Sequence, residues 1–226
     1  MKYKIFPIGD NVLTIEFGNE IFAEHNNLVL KLAAYFKQNA FQGFVELIPA
    51  YASLTCFYDV LIVRKNFSAF ETAFDAVKNF AENALLNLDD FEETRPRLIE
   101  IPICFDKKSA LDLDSVAAMN NLNAKQVTEI FLHETYRVYM LGFLPGFAYM
   151  GEVDERIAAP RKTSPCLKVP KGSVGIAGRQ TGIYSLESPG GWQIIGRTNV
   201  ELFTPEAELP TFLKAGDLVR FYETNF

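Results

Sequence analysis

The stretch Ser173–Thr198, SVGIAGRQTGIYSLESPGGWQIIGRT, decides how this chain is read. Three short apolar runs, SVGIAG, GIYSL and WQIIG, alternate in it with glycine-bearing turns. Such closely spaced pieces predict short strands folding back on one another, as a barrel or a sandwich. The same texture extends upstream: ten of the 14 glycines and five of the 11 prolines lie between Gly142 and Gly196.

Before that segment the periodicity changes. Leu111–Asn121 and Ala124–Glu134 read as helices, the second with Asn123 as its cap and Gln126 reaching back from the third helical position. Leu98–Phe105 is strand-like, and the acidic patch LDDFEETRPR (Leu88–Arg97) before it reads as an interdomain linker with Pro96 inside. Further upstream, residues 3–8 and 11–17 predict strands joined at Gly9-Asp10. A helix follows on Ile21, Leu28, Leu32, Tyr35 and Phe36 and stops near Asn39. FVELIPAYASLTCFYD (Phe44–Asp59) gives two strand pieces interrupted by Pro49. Phe67–Leu86 then predicts one helix, with Phe70, Phe74, Val77 and Phe80 on one face and a Ser68/Glu71 capping box. This order suits an α+β sandwich with helices on one sheet face, residues 1–95, followed by a mainly β domain with two leading helices, residues 96–226.

Composition narrows the function classes. A hydrophobic share of 49% with 22% charged residues is that of a globular protein with a full core. The start, MKYKIFPIGD, lacks the apolar stretch of a signal peptide, and no run reaches a membrane span, so a cytoplasmic protein with no membrane partner is the expectation. Cys56, Cys104 and Cys166 show no pairing pattern, and with two histidines and no CxxC or HExxH spacing no metal site is expected. A net charge of −6 argues against nucleic-acid binding. Seven basic residues, Arg156, Arg161, Lys162, Lys168, Lys171, Arg179 and Arg197, nevertheless face one acid, Glu187, between Arg156 and Arg197. That run is either a solvated loop surface or a site for a small anion or an acidic partner.

No self-sufficient catalytic signature appears: neither GxxxxGK[ST], GxGxxG nor GxSxG is present. What remains is a set of turns able to hold polar groups. GFLPGFAYMG (Gly142–Gly151) places Pro145-Gly146 between Phe143, Phe147 and Tyr149, either as a core corner or as a cleft wall. VPKGSVGIAGRQTGIY (Val169–Tyr184) predicts a turn at Pro170–Gly172 and a bend at Arg179–Gly182. Its Lys171, Ser173, Arg179, Gln180 and Thr181 could grip carboxylate or phosphate oxygens. SPGGWQIIGRT (Ser188–Thr198) sets the single Trp192 after Pro189, Gly190 and Gly191, with Arg197 as a candidate anion clamp. Arg161 belongs to the same anion-binding set. His133, at a helix end, is the candidate for proton transfer.

GFLPGFAYMG, APRKTSP, VPKGSVGIAGRQTGIY and SPGGWQIIGRT, in this order, resemble the family of 5-oxoprolinase B subunits, which includes the kinase inhibitor KipI and the first part of bacterial allophanate hydrolase. The resemblance implies a small α+β domain of ferredoxin-like type before a cyclophilin-like β-barrel. It also implies a cytoplasmic component working with the A and C subunits of 5-oxoprolinase, and with ATP and Mg²⁺, to open 5-oxo-L-proline, an anionic lactam, to L-glutamate. Alternatives within the same resemblance are a non-catalytic regulator of a sensor histidine kinase and a component of an allophanate or urea amide hydrolase. Many relatives carry Arg where this chain has Cys166, and Lys168 is the sequence's nearest substitute for that charge.

Overall fold

The structure, a computed structural model, describes residues 2–88 and 95–225. Two compact units emerge, Met1–Arg95 and Pro96–Phe226. Most of the acidic patch read as a linker, 89–94, lies outside the described residues.

The first unit runs β1 (Lys4–Pro7), β2 (Val12–Glu16), α1 (Ala23–Gln38), β3 (Phe44–Pro49), β4 (Ser53–Tyr58), α2 (Val60–Asn66) and α3 (Ala73–Leu86). Its strands pair antiparallel in the order β1-β2-β4-β3. Two strands that both run antiparallel to β4 are parallel to each other, so β2, α1 and β3 form a split β-α-β unit. Alternate strand residues Leu13, Ile15, Leu54 and Cys56 meet Val29, Leu32 and Phe36 of α1 and Val77 and Ala81 of α3 in one core. Burying a side chain of this size stabilises by about 1.5–3 kcal/mol.

The helix read over Phe67–Leu86 is corrected to a shorter one, α3, starting at Ala73, and α2, which lies before Phe67, was not read from the sequence. Asp59 caps α2 by accepting from the Ile62 amide at 2.9 Å, and that helix stops at Phe67. Thr72 and Asp75, rather than Ser68 and Glu71, make the capping box of α3. Starting there turns Ala73 and Ala76, both buried, toward the core. The Ser68 pattern falls in the intervening turn.

The second unit contains β5 (Leu98–Ile103), α4 (Leu113–Met119), α5 (Ala124–His133), β6 (Thr135–Leu141), β7 (Ala148–Gly151), β8 (Cys166–Val169), β9 (Ser173–Ala177), β10 (Gln180–Ile183), β11 (Ser188–Gly190), β12 (Gln193–Arg197) and β13 (Leu218–Glu223). Asn123 and Gln126 form the expected reciprocal cap on α5. Seven strands assemble in the order β12-β9-β10-β7-β6-β13-β5, and β8 pairs with β11 as a separate ribbon. β13 lies parallel to β5 and antiparallel to β6, which makes the sheet mixed. The sheet curls until its edges meet: just beyond β5, Cys104 exchanges both backbone hydrogen bonds with Arg197 of β12, at 2.8 and 3.0 Å. Inward residues including Tyr136, Val138, Met150, Val174, Ile176 and Ile195 fill the core with Val116, Val127 and Phe131 of the helices.

The bend expected at Arg179–Gly182 is also corrected. Gly178 and Arg179 alone link β9 to β10, and Gln180, Thr181 and Gly182 are strand residues. Gly178 supplies a φ of +61°, the left-handed value tight two-residue hairpins need. Among the described residues no helix is long and apolar enough to cross a membrane.

Candidate ligand site in the second unit

The GFLPGF turn between β6 and β7 is drawn tight by backbone bonds from Leu144 to Gly142 (2.7 Å) and from Phe147 to Leu144 (3.0 Å). A Cβ on Gly146 would stand 2.7 Å from the Leu202 carbonyl oxygen, so the close approach requires glycine. Phe147 enters the interior and Phe143 stays 59% exposed, with a left-handed φ of +64° that is uncommon for a bulky residue.

Phe147 is the hub of an aromatic cluster. Its ring centroid lies 5.5 Å from Phe143, 4.8 Å from Tyr149, 5.3 Å from Tyr184 and 5.6 Å from Trp192, all edge-to-face. Tyr149 and Trp192 close the set at 5.9 Å. Such pairs add about 0.5–1.5 kcal/mol each beyond area burial. Gly190 is required here, because a Cβ would meet the Tyr184 hydroxyl at 2.3 Å. Gly191 sits beside Pro165, while Pro189 is exposed on the outer side of β11. Burial pushes the Tyr149 hydroxyl above the ordinary tyrosine value, against the opposing pull of the nearby Arg161 charge.

Arg161 stands over the Trp192 ring at 5.9 Å, a cation–π contact. Its two neighbours pin it there. The Pro160 carbonyl accepts from Gln193 Nε2 at 3.0 Å, and the Lys162 amide donates to Gly191 at 2.7 Å. Lys162 Nζ lies 2.7 Å from Asp112 Oδ2, and the same oxygen accepts from the Ile194 amide at 2.7 Å. Lys162 also donates to Cys166 Sγ at 3.3 Å. Burial disfavours its ammonium form, yet the bonds to Asp112 and Cys166 outweigh that and hold its pKa above the ordinary lysine value.

Apart from Arg197, the remaining basic residues are dispersed by the structure onto carboxylates that lie mostly outside the basic run. Arg179 pairs with Glu152 at 2.7 Å and Glu155 at 3.2 Å, Arg156 with Asp154 at 2.7 Å, and Lys171 with Glu201 at 2.6 Å. Arg197 donates through Nε to the Lys171 carbonyl at 2.9 Å. Lys168 pairs with Glu187 at 3.5 Å on the surface, so the cation beside Cys166 is Lys162 and not Lys168. Ser173 is buried within β9, and Thr181, buried in β10, donates to the Gly175 carbonyl at 3.0 Å. Gln180 is half-buried at the start of β10. His133 is 89% exposed, with Glu134 Oε1 3.8 Å from its Nδ1.

Arg179 and Arg156 line an open groove of about 590 Å³ with Glu134, Glu152, Asp154 and Glu155. Hydrogen bonds from Arg156 hold the Asp154 carboxyl down at about 2. Within this groove the arginines and carboxylates already pair with one another. The aromatic cluster, by contrast, keeps Arg161 with no carboxylate partner among the described residues, over an indole ring and beside a tyrosine hydroxyl. A flat ring and a carboxylate are what such a set can hold together. Sequence reasoning missed Tyr184 and Asp112 and counted Lys162 only as one charge of the basic run; the crowding that makes Gly190 necessary is visible only in three dimensions.

The family model described as "Carboxyltransferase domain, subdomain C and D" matches residues 3–213, which gives the class of the protein. The 5-oxoprolinase B subunit of Bacillus subtilis is 45% identical over 98% of this chain and 92% of its own length. The 5-oxoprolinase B subunit of Escherichia coli O157:H7 is 35% identical over 97% and 95%. The crystal structure of TTHA0988 superposes with a TM-score of 0.78 at 34% identity, covering 95% of this chain and 40% of that longer one. The chain therefore belongs to the carboxyltransferase C and D family, within its branch of 5-oxoprolinase B subunits.

Proposed function

We propose that this chain is the B subunit of an ATP-dependent 5-oxoprolinase that opens 5-oxo-L-proline to L-glutamate in the cytoplasm, together with the A and C subunits. The observation that carries the site assignment is Arg161 held over Trp192 beside Tyr149. The names of the relatives that are 45% and 35% identical support the reaction. On this reading residues 1–95 are a ferredoxin-like sandwich and residues 96–226 a cyclophilin-like barrel.

In the proposed site the lactam ring lies at the rim of the cluster beside the Trp192 ring, its carboxylate takes the Arg161 fork, and the Tyr149 hydroxyl meets the ring amide. The aromatic walls exclude water from the charge pair and so strengthen it. ATP supplies the phosphoryl group that turns the lactam oxygen into a leaving group. Among the described residues no three acidic, His or Cys side chains converge to hold a metal ion, so no step on this chain is routed through Mg²⁺. We place nucleotide and Mg²⁺ on the partner subunits.

The test is ATP hydrolysis by the mixture with the A and C subunits, with and without 5-oxoproline. Stimulation by 5-oxoproline is expected with wild type; its absence would reject the assignment. A second reading, a protein that binds a sensor histidine kinase, draws on Leu167, 85% exposed, and Phe143 beside the aromatic cluster. Inhibition of kinase autophosphorylation by this chain alone, lost in Leu167→Asp, is its expected signature.

A further inference from the structure

Three segments distant in sequence converge around Trp192, and one ion pair ties them. Asp112 exchanges backbone and side-chain bonds with Ile194: its amide donates to the Ile194 carbonyl at 2.7 Å, and its Oδ2 accepts from the Ile194 amide at 2.7 Å. That oxygen also receives Lys162 Nζ at 2.7 Å, with the two side chains only 15% and 20% exposed. Lys162 is in turn bonded through its amide to Gly191, the residue before Trp192. Arg161 is thus bracketed between Pro160, bonded to Gln193, and Lys162, bonded to Gly191 and Asp112.

We propose that Asp112 and Lys162 are positioning residues of the ligand site, holding the Arg161 guanidinium in register with the Trp192 ring so that it meets a ligand carboxylate. This inference rests on the reading of that site given under the proposed function. A half-buried pair that costs desolvation is a poor source of stability compared with apolar residues of the same volume. Its geometry is better explained by what it fixes: a long, rotamer-rich arginine gains orientation only when its backbone and neighbours are immobilised. Lys162 does not touch the ligand itself. Its ammonium is turned to Asp112 and Cys166, and it acts through the loop segment it anchors.

The carboxylate keeps its charge and takes no part in the bond exchange at the lactam carbonyl, so loosening its clamp removes binding shared by ground state and transition state. That raises KM and spares kcat. The experiment uses the complex with the A and C subunits for kinetics and the full chain for fluorescence, since Trp192 is the only tryptophan and reports on the site directly. Lys162→Met and Asp112→Asn are expected to raise KM for 5-oxoproline on the order of tenfold, the scale of one weakened charge-assisted hydrogen bond, with kcat within about twofold of wild type. The Trp192 emission change on adding 5-oxoproline should shift to higher concentration by the same factor. Lys162→Arg, which can still reach Asp112, should restore both readouts.

KM and Trp192 titration unchanged in both variants overturn the inference. So does a parallel loss of kcat and of folded protein, measured by thermal melting, that Lys162→Arg does not rescue, because it shows a pair that only maintains the fold. A wild-type protein with neither a Trp192 response nor 5-oxoproline-dependent turnover overturns the functional reading itself, and this inference with it. Unchanged KM in a responding wild-type system overturns the inference alone.

Discussion

The aromatic cluster around Phe147 and the charged groove around Arg179 lie in the same unit, yet they use their cations in opposite ways. In the groove, each arginine is bound to carboxylates from its own rim: Arg179 to Glu152 and Glu155, Arg156 to Asp154. In the cluster, Arg161 rests on an indole face, and the nearby acid, Asp112, is occupied by Lys162 and by the Ile194 amide. Charge count favours the groove; a cation with no carboxylate partner among the described residues favours the cluster. The contrast teaches that a basic run in sequence measures ligand affinity poorly until the partners of each cation are known.

Substitutions can break this contrast from either side. The largest effect belongs to Trp192→Ala, which removes the buried floor of the cluster and should destabilise the protein by about 3–5 kcal/mol, read by chemical denaturation. Arg161→Ala follows: it should lower kcat/KM for 5-oxoproline about 10- to 100-fold, the equivalent of about 1.5–3 kcal/mol, while the melting curve barely moves. Arg179→Ala tests the other side. Its exposed pairs are worth less than about 1 kcal/mol, so turnover within about twofold of wild type is expected, and a loss matching that of Arg161→Ala would reverse the assignment of the two regions.

The smallest effect is one of pH. The Asp154 carboxyl, held by hydrogen bonds from Arg156, titrates at about 2 instead of the usual 3.8. A depressed folded value means its stabilisation is present above the unfolded pKa and is lost as pH falls through the folded one. Wild type should therefore melt slightly above Asp154→Asn at pH 6, and the difference should vanish as pH approaches about 2. A gap that instead widens in acid would contradict the Arg156 pairing.

Much of the architecture was legible because it is written locally. The Asn123 and Gln126 cap, the helix ending at Asn39 and the strand pieces on either side of Pro49 all depend on residues within a few positions of one another. The aromatic motifs were legible as a set too, and Phe143, Phe147, Tyr149 and Trp192 do meet. Illegible were the contacts made across long separations. Asp112 lies 82 residues from Ile194, and no pattern in either segment announces the other. The acids that satisfy Arg179 and Lys171 flank the basic run instead of sitting inside it, which is why that run looked bare. Ser68 and Thr72 both offer an N-cap pattern; the choice was made by which start buries Ala73 and Ala76.

The placement of β13 sets the order in which the curled sheet can be assembled. The hairpins from β6 to β12 close over short loops, whereas β13 must slide between β6 and β5, a join sealed by Arg97 and Asp217 from 120 residues apart. Closing so long a loop is entropically slow, and topology of this kind delays folding. Until that strand arrives, the facing edges of β5 and β6 offer unpaired amides and carbonyls to any other chain. Refolding yield should accordingly fall with protein concentration far more steeply than native stability alone suggests, making the half-assembled barrel, not the finished one, the species most vulnerable to aggregation.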